Sequence, residues 1–157
     1  MDLLAQVLVN GVLLGGLYAV MALGLALVWG VLNIVNLAHG AFIMLGAYCS
    51  WHLFHYLGID PFLGLPITAA VMFALGYGLQ RGLLNLIVRA PMFNTLLLTF
   101  GLEVVLTYLA QLAFSADFRA INPGYAGHRT QWGPVVLPLV RLGAFGVALA
   151  LTLGMWL

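Results

Sequence analysis

The stretch NIVNLAHGAFIMLG, residues 33–46, places two amides and an imidazole inside a run of otherwise apolar residues. If this segment is helical, Asn33, Asn36 and His39 follow one another at i, i+3 and i+6, so their side chains share about a third of the helix circumference. Amides in membrane helices commonly bridge helices through hydrogen bonds of about 0.6 to 2 kcal/mol. The spacing therefore leaves two roles open for the three residues, a structural bridge and a polar pathway.

Glycines mark where the chain breaks or packs closely. Gly40 follows His39 directly, and Gly46 lies further along the same stretch. A glycine at such a place indicates a backbone break, or an element so close that a Cβ would collide with it. Two small-xxx-small pairs, suited to close helix packing, are Gly11 with Gly15 and Gly78 with Gly82.

The composition is that of an integral membrane protein, whose solvent is the lipid bilayer. Of the 157 residues, 64% are hydrophobic and 6% are charged, and the mean hydropathy is +1.13. Soluble domains carry about a quarter charged residues. The chain contains five basic residues, all arginines, and four acidic residues. It therefore has no basic surface that could bind a row of phosphates, and nucleic acid is excluded as a partner.

A hydrocarbon core of about 30 Å requires roughly 20 apolar residues per helix, and that length divides the chain into about five passes. The predicted helices are Leu3–Trp29, Ala41–Leu57, Ile67–Ile87, Thr95–Phe114 and a fifth from Leu139. We predict an all-α polytopic helical bundle, with residues 1–157 as a single domain. Gly58–Pro66 is predicted to be a tight connection, and Ser115–Pro138 is predicted to form a hairpin or a short surface helix.

The two ends of the chain and its arginines predict how it sits in the membrane. The N-terminus carries Asp2 and an apolar stretch too long for a signal peptide, so it is expected to stay as the first anchor. The chain stops inside an apolar helix, which indicates the N-terminal part of a longer protein. Arg81 and Arg89 place the turn after the third helix in the cytoplasm by the positive-inside rule. The N-terminus and the loop around Asn122 are then outside.

Glu103 lies close to the middle of the fourth predicted helix. A carboxylate at that depth costs at least about 2.5 kcal/mol to insert unless it is protonated or paired. It must therefore face protein or water. Three roles compete for Glu103: a hydrogen-bonded structural acid, a group that lines a polar pathway, and a proton-coupling site.

The chain lacks the groups that catalysis, a cofactor or a metal would need. Its serines, Ser50 and Ser115, are in no Gly-x-Ser-x-Gly setting, and a phosphate loop is impossible without lysine. The single cysteine, Cys49, can form neither an intrachain disulfide nor a metal cage. His52 and His55 have a metal-compatible spacing, but beside Trp51 they are more typical of a headgroup belt. We therefore predict no enzyme, no cofactor and no metal.

Several blocks of the sequence are similar to one known family. GLYAVMALGLALVWG, IVNLAHG and MLGAY follow one another within Gly11–Tyr48, and RAPMFNTLLLTFGLEVVL follows later. They resemble the membrane permease subunits of bacterial branched-chain amino acid ABC transporters, the high-affinity leucine, isoleucine and valine type. IVNLAHG is the specific block, and the likeness covers most of the chain to about Phe114. Family members are nearly twice as long, and their ATPase-coupling loop lies in the half that this chain lacks.

This resemblance implies a transport subunit of the inner membrane. Its expected partners are a second permease, two cytoplasmic ATPases and a periplasmic substrate-binding protein. Asn33, Asn36, His39 and Glu103 would line or brace the translocation path. Two alternatives stay open. One is a secondary transporter or channel without an ATPase, and the other is a related permease for urea or short amides.

Overall fold

The computed structural model describes residues 2–87, 91–115, 117, 119–127, 129–132 and 135–156. It confirms an all-α polytopic architecture with five principal helices. These are α1 (Asp2–Leu32), α2 (His39–Leu57), α3 (Pro61–Leu79), α4 (Met92–Phe114) and α5 (Leu139–Trp156). Helix α3 continues through a π-helical turn, Gln80–Leu84, into one further helical turn, Asn85–Ile87.

Within the part of the chain that the structure describes, three stretches are long and apolar enough to cross a membrane, Leu3–Leu32, Pro61–Leu84 and Met92–Phe114, and Leu139–Met155 is a shorter apolar helix. Their side chains point largely outward: Phe73 is 75% exposed and Leu112 is 69% exposed. Apolar surface of this kind requires lipid or further protein around it. The chain is therefore a multi-pass membrane protein. The 31 residues of α1 rise about 46 Å, so α1 tilts or extends beyond the hydrocarbon core.

A non-helical segment, residues 33–36, followed by a turn at residues 37–38, separates α1 from α2. The helical spacing considered for Asn33, Asn36 and His39 therefore does not apply, because residues 33–38, six of the fourteen in this stretch, lie outside the helices. Asn33 has a left-handed backbone, with φ of 52°, and its N–H donates to the carbonyl of Trp29 at 2.9 Å. Asn is one of the few residues that adopt this conformation readily, so Asn33 ends α1. The break thus lies just before His39 and Gly40.

The predicted connection Gly58–Pro66 is shorter in the structure than in the prediction. Gly58 has a left-handed φ of 64° and ends α2. Asp60 then caps α3, since its Oδ1 accepts the N–H of Phe62 at 2.9 Å. Pro61 occupies the first helical position, where its missing N–H is not required. The helix therefore begins before Ile67 and contains Pro66.

The long polar loop contains the predicted hairpin. Strands β1 (Arg129–Trp132) and β2 (Val135–Pro138) pair in an antiparallel ladder that aligns Arg129 with Pro138. The side-chain amide of Gln6 forms two hydrogen bonds with the backbone of one residue of β2, Val136. Its Nε2 donates to the carbonyl of Val136 at 2.9 Å, and its Oε1 accepts the N–H of Val136 at 2.7 Å.

The prediction of the membrane topology rests on Arg81 and Arg89. Arg89 lies outside the described residues.

The chain divides into two compact units. One consists of Met1–Leu27 with Asn122–Leu157, and the other of Val28–Ile121. Within the first unit, β2 and the start of α5 lie beside α1 through Gln6 and Asn10. Within the second unit, α2 packs against both α3 and α4. The prediction of a single functional domain stays a prediction.

The glycines show where helices approach closely inside the chain. A Cβ at Gly46 would lie 3.9 Å from Met72 Cγ, an ordinary contact, whereas one at Gly16 would overlap the ring of Phe145. Among the described residues, no atom lies within 4 Å of a Cβ built at the other predicted glycines, which are Gly11, Gly15, Gly40, Gly78 and Gly82. Their role in packing therefore stays a prediction about contacts beyond those described.

Candidate functional site

A cavity of about 260 Å³ lies where the end of α1, the break, the start of α2 and the end of α3 meet. Three of its side chains are polar: Asn36, His39 and Gln80. The others are Val28, Leu32, Ile34, Phe42, Gly76, Leu79 and Leu84. Drug-sized pockets measure about 300–1,000 Å³, so this cavity suits a smaller molecule. An apolar wall with a few polar groups is typical of a binding site.

Asn36 has a structural role that helical spacing did not predict. Its Oδ1 accepts the N–H of Ala38 at 3.1 Å, and its carbonyl accepts the N–H of His39 at 3.2 Å. This Asx turn satisfies backbone donors at the point where α2 begins. Because Oδ1 is occupied by the backbone, the Nδ2 group is the part of Asn36 left to donate to a ligand.

His39 is the first residue of α2, and it is half-buried. The Asx turn at Asn36 sets its position, so Asn36 and His39 line the cavity together. An imidazole can both donate and accept a hydrogen bond. Both side chains thus bring polar groups to the wall of the cavity, where they can contact a small polar ligand.

Asn33 is not among the described residues that line this cavity. It is exposed and forms the end of α1. The reason is geometric: a helix would bring positions 33 and 36 to one face, but the left-handed backbone at Asn33 turns the chain before Asn36.

Thr99 of α4 holds the break in place. The Thr99 side chain is fully buried, and its Oγ1 lies 3.1 Å from the carbonyl oxygen of Val35. The same hydroxyl is 3.0 Å from the carbonyl of Thr95, in its own helix. Irregular backbone in a membrane protein leaves carbonyls without helical partners. Thr99 supplies a donor for one of them.

Glu103 lies one helical turn after Thr99 on α4, so it shares the face that meets the break. The carboxylate is half-buried, and its Oε1 accepts a hydrogen bond from Thr107 Oγ1 at 3.4 Å. It is not among the described residues that line the cavity with Asn36 and His39. The three roles considered for Glu103 therefore all stay open.

Gln80 is a cavity residue that sequence reasoning did not identify. It opens the π-helical turn Gln80–Leu84, and its Nε2 donates to Asn85 Oδ1 at 3.2 Å. Such π-turns occur frequently at functional sites. A signal was present, because Gln80 is one of two amides, with Asn85, that interrupt the apolar run of the third predicted helix.

Aromatic rings gather at the far end of α2. Trp51 stacks on His55 with ring centroids 4.5 Å apart, and Tyr48 stacks on Phe114 of α4 at 4.8 Å. The guanidinium of Arg119 lies 4.3 Å from the Trp51 ring centre and donates to the carbonyl of Phe114. This arrangement caps α4 and packs its end against α2.

A larger cavity of about 610 Å³ lies along α4. Its side chains are apolar apart from Asn94, among the described residues. It contains none of the residues that we predicted to line a pathway. The cavity with Asn36, His39 and Gln80 is therefore the better candidate site for a polar ligand.

Sequence comparisons identify relatives along nearly the whole chain. Residues 7–157 match the family model described as the permease component of the branched-chain amino acid transport system. The high-affinity branched-chain amino acid transport system permease protein BraD of Pseudomonas aeruginosa is 27% identical, over 97% of this chain and 53% of its own length. The permease protein LivH of the corresponding Escherichia coli system is 35% identical, over 46% of this chain and 26% of its own length.

A probable branched-chain amino acid transport permease protein LivH of Methanocaldococcus jannaschii is 29% identical, over 64% of this chain and 32% of its own length. No solved structure matches the chain significantly. The chain spans about half the length, or less, of these curated relatives. Because the family model covers far more than half of the sequence, the chain belongs to the family of permease components of branched-chain amino acid transport systems.

Proposed function

We propose that this chain is part of a permease subunit of a bacterial ABC importer, which moves branched-chain or other hydrophobic amino acids across the inner membrane. The observation that carries the proposal is the cavity with Asn36, His39 and Gln80 in an otherwise apolar wall. Family membership supports a transport role. In this role the chain is not an enzyme, and partner subunits hydrolyse ATP.

The cavity can serve a small amphiphilic molecule for chemical reasons. Its apolar side chains favour an aliphatic group, which gains about 25 cal/mol per Å² of apolar surface removed from water. The Nδ2 group of Asn36 and the imidazole of His39 can bond the polar end. The volume of about 260 Å³ suits a small ligand.

The surroundings of the cavity provide parts that can move. The break at residues 33–38 and the π-turn Gln80–Leu84 both contribute to its wall. Irregular backbone next to a cavity is a recurring feature of transporter sites. We propose that the cavity opens alternately to the two sides as the partner ATPases close and separate. Glu103, one turn from Thr99, would line or brace this path.

The proposed assembly contains a second permease subunit, two cytoplasmic ATPases and a periplasmic binding protein. The test expresses the complete permease with these partners in cells and measures uptake of labelled leucine. We expect uptake to stop when ATP is depleted and to continue when the proton gradient is collapsed with ATP maintained. Uptake that survives ATP depletion but requires the proton gradient would overturn the importer and favour a secondary transporter.

Competition decides the substrate class in the same assay. Unlabelled isoleucine and valine should reduce leucine uptake strongly, since their side chains are also branched and apolar. Urea and acetamide serve as controls, because they carry a polar group without the aliphatic chain. Uptake of labelled urea, with no uptake of leucine, would show an amide permease of the same family instead.

A further inference from the structure

A third cavity, of about 410 Å³, lies within the unit formed by Met1–Leu27 and Asn122–Leu157. Gln6 and Asn10 of α1 line it together with Arg141 near the start of α5. The volume falls within the range of about 300–1,000 Å³ that small-molecule sites occupy. Neither the sequence pattern nor the proposed pathway makes use of these three side chains.

The polar side chains of this cavity have two different roles. Gln6 is structural, because both ends of its amide are bonded to the backbone of Val136 at 2.9 and 2.7 Å. Asn10 and Arg141 are bonded to each other, with Arg141 Nη1 donating to Asn10 Oδ1 at 3.1 Å. That bond occupies the acceptor of Asn10, and its Nδ2 hydrogens remain as donors.

Asn10 and Arg141 present hydrogen-bond donors and a positive charge to the cavity. A guanidinium has five N–H donors and no acceptor, and the one partner that Asn10 offers is neutral. Among the described residues that line the cavity, none is acidic. A carboxylate matches the planar fork of an arginine with two parallel hydrogen bonds. Val136 and Val140 add an apolar wall beside these donors.

We propose that Arg141 and Asn10 bind the carboxylate of a small amino acid, whose aliphatic side chain packs on Val136 and Val140. The carboxylate chemistry rests on the two donors, and the choice of an amino acid rests on the proposed transport function. The cavity is a binding site in addition to the one with Asn36 and His39.

Chemical protection of Arg141 tests this site without a transport measurement. The purified chain is placed in nanodiscs of phosphatidylcholine and treated with phenylglyoxal, which modifies accessible arginines, and peptide mass spectrometry follows each arginine. Arg81 is the internal control, because it is also exposed and also bonded to a neutral group, the hydroxyl of Tyr77 at 3.1 Å. L-Leucine at about four times its Kd should slow modification of Arg141 about fivefold, since only unoccupied sites react, and leave Arg81 unchanged.

L-Leucinamide separates the carboxylate from the side chain. It has the same aliphatic group but no carboxylate, so it should give no protection of Arg141. The variant Asn10→Leu should abolish most of the protection by leucine, while Arg141 remains reactive and the thermal unfolding curve shows that the chain is folded. Equal protection by leucine and leucinamide, or none by leucine, would overturn the proposal.

Two further measurements test whether a lipid headgroup or inorganic phosphate, instead of an amino acid, binds at Arg141. Protection in phosphatidylglycerol nanodiscs without leucine, and none by leucine in phosphatidylcholine, would show a lipid headgroup site and overturn the amino-acid proposal. Protection by inorganic phosphate as strong as that by leucine would show an adventitious ion only. The uptake test is independent: ATP-driven leucine uptake with an unprotected Arg141 would refute this site and leave the importer standing.

Discussion

The hydroxyl of Thr99 donates to the carbonyl of Val35 at 3.1 Å, across 64 positions of sequence, and so holds the break between α1 and α2 against α4. The same oxygen is 3.0 Å from the carbonyl of Thr95 and 3.2 Å from that of Leu96. A hydroxyl has a single proton, so these acceptors share it. Val35 is the acceptor among them that lies outside α4.

Replacing Thr99 with valine should therefore lower stability by about 0.5–1.5 kcal/mol, because the half-buried carbonyl of Val35 loses its donor. The substitution keeps the branched shape of the side chain. Thr152→Val is the matched control, since Thr152 donates at 2.9 Å to Ala148 in its own helix. Thermal unfolding in detergent measures both variants. Equal shifts in the two melting temperatures would contradict a special role for the bond to Val35.

Asn36 separates a folding role from a binding role. Asn36→Ala should destabilise the chain by about 1 kcal/mol, because α2 loses the side chain that bonds Ala38 N–H. Asn36→Ser should restore stability, since serine retains an acceptor oxygen, but it should not restore uptake, since it lacks the amide donors. Unfolding curves and leucine uptake in the complete transporter are measured together. Normal uptake by the serine variant would restrict Asn36 to folding.

Glu103→Gln removes the charge and preserves the shape of the side chain. If the carboxylate lines the path, uptake should fall about tenfold, equivalent to about 1.4 kcal/mol in the barrier, with normal assembly. Thr107→Val is the control, because it removes the hydrogen bond to Glu103 Oε1 and leaves the charge. Unchanged uptake by Glu103→Gln would remove this residue from the path. A similar loss in both variants would indicate a structural acid.

Gln80 is predicted to contribute to the cavity rather than to stability. Gln80→Leu should reduce leucine uptake and leave the melting temperature within about 1 °C, since its bond to Asn85 is exposed and surface bonds contribute little. Gln111→Leu is the control for the loss of an amide, because Gln111 is exposed on α4. Loss of uptake in both variants would point to a general effect of lost amides.

Alanine substitutions at the neighbouring residues Gly15 and Gly16 are expected to have opposite effects on stability. Gly16→Ala places a methyl group too close to the edge of the Phe145 ring, so it should destabilise the chain by about 1–3 kcal/mol. Gly15→Ala meets no described atom within 4 Å and should stabilise α1 by up to about 1 kcal/mol through helix propensity. Thermal unfolding ranks the two variants. Adding Phe145→Leu should relieve the effect at Gly16, and a strictly additive result would contradict the contact.

Much of the helical order could be predicted from local chemistry. The apolar run of α4 ends where the prediction placed its end, at Phe114. Gly58 and Asp60 carry local signals for the end of one helix and the start of the next, a left-handed glycine and an N-cap. The prediction nevertheless placed Pro66 outside the helix, because the Gly and Pro content of residues 58–66 is typical of a tight connection. The cap at Asp60 and the proline at the first position instead mark the start of the helix at Pro61.

The candidate site was less accessible to sequence reasoning. Asn36 and His39 line the same cavity, although the helical spacing that grouped them is interrupted at Asn33. Their role in a translocation path stays a prediction. Gln80 is more than 40 positions away in sequence, and only the return of α3 brings it to the same cavity. Pairings of this kind depend on which helices pack against each other, and the periodicity of a single sequence does not predict those contacts.

The sequence by itself determined the membrane environment, the number of helices and several of their ends, such as Leu57, Phe114 and Leu139. These follow from the apolar composition and from the length of each apolar run. Only the tertiary structure decided which polar groups meet, because a hydrogen bond such as Thr99 to Val35 requires two segments to be packed within about 3 Å. It likewise placed Gln80 beside Asn36, and Arg141 beside Asn10. Local preferences extend over one helical turn, whereas a binding site requires contacts between elements that the chain separates.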